Sequence, residues 1–177
     1  MNIVIVVLIW VIIGLALYIV VRGSHSSLQS IDELEQLTVP VDIEAFSYLM
    51  SQELSNYISA KLKREDQQRA IKMKNRTAIS YVLIIASNAA LIIRATDIAK
   101  RSTDLSVQGK ARSLQVLAIK LRVHSLITLF KLYLGRLLPI STNWSNLIYE
   151  YSKIRDSVQH LCLTMRSKQT SAILGAL

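Results

Sequence analysis

Between Asn2 and Val21 the chain reads NIVIVVLIWVIIGLALYIVV, twenty residues without a charge, closed by Arg22. A helix of that length crosses a hydrocarbon core of ~30 Å, and it satisfies its own backbone hydrogen bonds while doing so. Trp10 and Gly14 lie inside the run. Tyr18 and Arg22 fall toward its end, where an aromatic ring and a snorkelling cation suit the headgroup layer. The expectation is therefore a single transmembrane anchor over residues 1–22. A cleaved signal peptide would want a basic start, a shorter apolar core and a small-x-small site. Nothing basic precedes this run, although Gly23-Ser24-His25-Ser26 could serve as a cleavage region. Arg22 and a basic remainder follow the run, which orients the C-terminal part toward the cytoplasm.

The rest of the chain is long enough for one compact domain. Glycine and proline are both absent from Val41 to Gln108. Strand-and-turn folds need such punctuation far more often, so the domain reads as helical. A polar linker occupies residues 23–41, a helical bundle 42–168 and a fraying tail 169–177. The predicted fold is all-α, with the N-terminal membrane helix followed by a bundle of about four helices.

Asp42 is a plausible N-cap for the first bundle helix, whose apolar stripe comprises Ile43, Phe46, Leu49, Met50, Leu54, Tyr57, Ile58 and Leu62. A solvated stretch follows, and a break is expected near Asn75. Without it, the first two helices would fuse into one rod of roughly 90 Å at ~1.5 Å per residue. Residues 77–101 form a second helix that is apolar nearly all round. Only seventeen residues separate Arg76 from Arg94, and Ser80, Ser87 and Asn88 would be costly in lipid. A buried central helix fits better than a second span. A third helix is predicted over 110–138, with Leu114, Leu117, Ala118, Leu121, Ile127, Phe130, Leu134 and Leu137 as core candidates, stopped by Pro139. The last begins at Thr142 or Asn143, and its stripe runs through Trp144, Leu147, Ile148, Tyr151, Ile154, Val158, Leu161, Cys162 and Met165.

Charge narrows the partners. Residues 1–66 hold eight acids and four bases, whereas residues 67–177 hold four acids and seventeen bases. From Asp104 to Glu150 no acid intervenes, while Lys110, Arg112, Lys120, Arg122, Lys131 and Arg136 are all basic. A basic, apolar helix tethered near a bilayer can lie on an anionic leaflet or meet an acidic protein. The plain alternative is an interior helix whose lysines snorkel outward. Charge alone would admit nucleic acid, but no reading motif accompanies it.

Catalytic and cofactor signatures are absent. No phosphate-binding glycine motif, nucleophile elbow or zinc-helix motif occurs, and no cofactor is expected. His25, His124 and His160 are too far apart in sequence for a metal site on one element. Only the packing of two helices could gather His124, His160 and Cys162. Cys162 is the only cysteine, which precludes an intrachain disulfide and reads as a small buried thiol. Asn75-Arg76-Thr77 and Asn143-Trp144-Ser145 match the glycosylation triplet but stand at expected helix starts, where capping explains them.

These features favour a membrane-anchored, non-catalytic interaction or scaffold module, with apolar stripes that could extend into self-association. The alternatives are an extracytoplasmic sensor-like bundle, with the orientation reversed, or an enzyme whose site carries no known signature.

Overall fold

The computed structural model of the protein describes residues 32–134 and 144–174. The expected anchor, with Trp10, Gly14, Tyr18 and Arg22, lies outside the described residues, as do Arg136 and Pro139. Every regular element among the described residues is a helix: α1 (Asp32–Leu37), α2 (Ile43–Leu49), α3 (Gln52–Lys61), α4 (Arg64–Ala99), α5 (Leu105–Leu134) and α6 (Trp144–Leu174).

The first bundle helix is broken where one continuous helix was expected. Asp42 caps α2 by accepting the Ala45 N–H at 2.9 Å, and Ser51 caps α3 by accepting the Leu54 N–H at 3.1 Å. Ser51 thus starts a new helix two residues after α2 ends. At the other end of α3, the Gln67 side chain donates to Ser59 O at 2.9 Å and to Leu62 O at 2.8 Å. Carbonyls that a helix end would otherwise leave bare are met from the next helix.

No break occurs near Asn75. Helix α4 starts at Arg64 and runs 36 residues, about 54 Å. An interior asparagine costs a helix well under about 1 kcal/mol, too little to interrupt one held by packing. The rod of roughly 90 Å does not form either, because the chain turns at Ser51 and at Lys63 instead.

A short connection returns the chain. Asp104 Oδ1 accepts the Ser106 N–H at 2.7 Å, and Gln108 Nε2 donates to Ser102 O at 2.7 Å. These bonds start α5 at Leu105, five residues before the expected Lys110, and place Gly109 inside the helix, where a Cβ would meet open space. The α4–α5 hairpin is the spine of the fold. Among the buried positions, a seam runs through Ala78, Val82, Ile85, Ala89, Ile92, Thr96 and Ala99 on α4 and through Val107, Ala111, Leu114, Ala118, Leu121, Ser125, Thr128 and Leu132 on α5. Both series alternate steps of four and three, the 3.5-residue period of a coiled-coil seam. The alanines let the backbones approach closely. Thr96 Oγ1 donates to Ile93 O at 2.6 Å and Ser125 Oγ to Leu121 O at 2.8 Å, so these buried hydroxyls are satisfied within their own helices.

Helix α6 packs antiparallel to α5, with Leu147, Tyr151, Ile154 and Leu161 buried as its stripe predicts. It continues past residue 168 to Leu174, since no glycine or proline occurs before Gly175 to stop it. Helix α2 wedges against α4 and α6, with Phe46 1% exposed and its ring stacked on Tyr81 at 5.1 Å. Tyr57, expected in the core, is exposed, and its neighbour Ile58 takes the buried position on α3.

Helices α4 and α5 are each long and apolar enough to cross a membrane. Of the most apolar stretch, 56% is buried inside the bundle for α4 and 39% for α5. Asn88, 3% exposed, marks what α4 does with its polar groups. Its side-chain oxygen accepts the Val39 N–H at 3.1 Å, and its amide donates to Val39 O at 2.7 Å and to the Tyr151 hydroxyl at 3.2 Å. One side chain thereby pins residues 38–41 across the bundle as a neighbouring strand would.

Candidate interaction surface

Helix α5 is apolar on two opposite sides. Its inner side is the heptad stripe. Its outer side carries Val116, Ile119, Val123, Ile127 and Phe130, all exposed. Steps of three and four set this second row about half a turn from the first. Ile127 and Phe130, expected in the core, therefore belong to the outer row, and Ser125, Leu129 and Leu132 take their interior places. Both rows have helical period, so periodicity cannot say which one is buried.

Helix α4 also leaves one large apolar side chain open, Leu83, 50% exposed. Arg122 of α5 is half-buried, its Nε enclosed and without a hydrogen-bond partner. Burial, and after it repulsion from the half-buried Arg94 guanidinium of α4, pull Arg122 below the ordinary arginine range. Two like charges thus come together on one side of the hairpin. Arg112 stands exposed farther along the outer row.

The other basic residues of α5 point elsewhere. Lys120 pairs with Glu150 of α6 at 3.0 Å, and the same carboxylate meets His124 Nδ1 at 2.6 Å. Lys110 donates to Thr164 Oγ1 at 3.3 Å, and Lys131 is half-buried. The described members of the basic set are thus distributed around α5, with Lys110 and Lys120 turned to α6, Arg112 exposed and Arg122 half-buried near Arg94. Glu150 was missed as a counter-charge because it lies thirty residues from Lys120; only the antiparallel register joins them.

That register also separates the histidines. Lys110 lies opposite Thr164 and His124 opposite Glu150, so His160 sits ten residues from Glu150 along α6, about 15 Å. No group of three or more His, Cys, Asp or Glu side chains that could hold a metal occurs among the described residues. The Lys120–His124–Glu150 cluster contains no serine, threonine or cysteine and so does not form a Ser-His-Asp type triad.

A groove of about 810 Å³ runs between α6 and the pinned segment, lined by Val39, Pro40, Ile92, Ile154, Val158 and Cys162 among others. The sequence offers no signal for it, because its walls come from three separate stretches. Of its polar lining, Asn88 and Tyr151 bond each other, and Thr38, Arg155 and Gln159 also border it. Near the opposite end of the fold, Lys74 donates to Ser55 Oγ at 2.7 Å, and burial lowers its pKa.

No protein-family model, curated protein or solved structure matches this chain.

Proposed function

We propose that the protein is a membrane-anchored, non-catalytic helical interaction module, held by residues 1–22 as a single-pass anchor with its bundle on the cytoplasmic side. The observation that carries this reading is the uncovered apolar row of α5 with arginines beside it, in a chain that begins with an uncharged twenty-residue run. Exposed apolar residues in a contiguous row mark an interaction site more often than scattered ones do. Arginine beside them gives the surface a preference for an anionic lipid or an acidic protein. Supporting the bundle over a second and third span, Asn88 is buried and fully engaged in protein contacts, and α5 carries Lys120, Arg122 and His124 near its middle.

The test is fractionation. Full-length protein should stay with membranes through an alkaline wash, and removal of residues 1–23 should release a helical, soluble domain. A truncated chain that still floats as an integral protein would put α4 and α5 in lipid and refute the single-pass reading. Protease digestion of intact cells against inverted vesicles decides the side.

A further inference from the structure

The groove beside the pinned segment, about 810 Å³, falls within the range of small-molecule sites, ~300–1,000 Å³. Most of its wall is apolar, with Leu34 from α1, Val39 and Val41 from the pinned segment, Ile92 from α4, and Ile154 and Val158 from α6. Its polar groups fall into two sets. Asn88 and Tyr151 are buried and engaged, the asparagine by both backbone groups of Val39 and by the tyrosine hydroxyl. Arg155 and Gln159 are exposed and stand four residues apart on α6, so they share one side of that helix. Among the described residues, Arg155 is the only charged side chain that borders the groove. It does have a counter-charge, since its Nε lies 3.6 Å from the carboxylate of the adjacent Asp156. Both of those side chains are more than half exposed, and such a pair holds a guanidinium only weakly.

We propose that this groove binds a long-chain carboxylate, with the hydrocarbon chain along Ile92, Ile154 and Val158 and the carboxylate at Arg155 and Gln159. The wall selects the chain. A hydrocarbon brings no hydrogen-bonding groups, and the buried asparagine and tyrosine are already engaged with each other and with Val39. An extended peptide would bring an N–H and a C=O with every residue, and those inside the groove would go unmet. The rim selects the head. A guanidinium takes a carboxylate through two parallel bonds, and the Gln159 amide adds a further donor. A cationic amphiphile would meet Arg155 with like charge. No described residue of α5 lines the groove, so this site adds to the interaction module and does not depend on what meets the outer row.

Cys162 borders the groove and is the only cysteine of the chain, so its reactivity reports occupancy. The test uses the full chain in phosphatidylcholine nanodiscs at mildly alkaline pH, with alkylation of Cys162 by iodoacetamide followed by mass spectrometry. Palmitate should slow alkylation several-fold. Hexadecanol and hexadecyltrimethylammonium, at the same mole fraction in the bilayer, should leave the rate near that of the ligand-free protein. Arg155→Gln, at an exposed position that does not threaten folding, should raise the palmitate needed for half-protection about fivefold. A palmitate carrying a diazirine on its chain should crosslink to residues 39–41 and 154–163. Alkylation that palmitate leaves unchanged would overturn the proposal and return the groove to a packing defect or a protein contact. Equal protection by the alcohol, or an Arg155→Gln variant protected as well as the parent, would also overturn it, because the head would then go unread. Crosslinks confined to the outer row of α5 would overturn it as well, by placing the acyl chain on that surface.

Discussion

The two sides of helix α5 are both apolar and have opposite fates. On the inner side Val107, Leu114, Leu121 and Leu132 are enclosed; on the outer side Val116, Ile119, Val123 and Phe130 are open. Neither hydropathy nor helical period distinguishes them. The inner side is marked instead by small residues at regular intervals, Ala111, Ala118 and Ser125, which let a second helix approach. Helix α4 offers the matching series Ala78, Ala89 and Ala99. The contrast teaches that close approach, more than apolar content, selects the buried side of a helix that is apolar on both.

The sharpest way to break that contrast is to place one charge on each side. Leu121→Asp, on the inner side of α5 at a position 0% exposed, should cost several kcal/mol, close to the whole stability of a small domain. Val123→Asp on the open side should stay within about 0.5 kcal/mol. Urea unfolding of the two variants reads the difference, and equal losses would mean that the outer row is also core.

Next in size is the pin at Asn88. Asn88→Ala strands the Val39 N–H and C=O and should cost about 1–3 kcal/mol. Hydrogen exchange at the Val39 amide should accelerate far more than exchange within the hairpin seam. Uniform acceleration would show that the pinned segment and the seam unfold together.

A smaller effect is expected between α5 and α6. Glu150→Gln removes the counter-charge of Lys120, which is largely exposed, so stability should fall by no more than about 1 kcal/mol. Its more useful consequence is electrostatic. The lysine is released toward solvent, and binding to anionic vesicles should rise or stay level; a marked fall would place the interaction surface on the α6 side and not on the outer row of α5.

Smallest is the titration of Lys74. Burial depresses its folded pKa below the ordinary 10.5, so the unfolded chain holds that proton more tightly. The penalty for keeping Lys74 charged is present at neutral pH and is relieved as pH climbs through the lowered value toward 10.5. Lys74→Met should flatten that rise in stability, as measured by denaturation midpoints across alkaline pH. An unchanged slope would assign the rise to other groups.

Much of the helical architecture was legible in the residues alone. The absence of glycine and proline from Val41 to Gln108 predicts helix, and the Leu147–Leu161 stripe of α6 is buried where its spacing places it. Asn88, Ser80 and Ser87 argued against lipid around residues 78–93. Of the three, only Asn88 is buried, whereas the two serines are exposed. The break expected near Asn75 falls at Ser51 and Lys63 instead, because a capping hydroxyl and a returning glutamine outweigh a mild helix penalty.

What the chain determines by itself is whatever depends on neighbours in sequence: the helical class, the Asp42 cap, and the excess of cations after residue 66. Tertiary structure decided what depends on register between distant segments. It turned Lys120 and His124 onto Glu150, brought Arg94 beside Arg122, gave Val39 to Asn88, and chose which of two apolar rows on α5 to bury. The physical reason is that neither hydropathy nor period along a single helix says which side its partner will approach. That choice is made by two surfaces together, through the depth to which small residues let their backbones close.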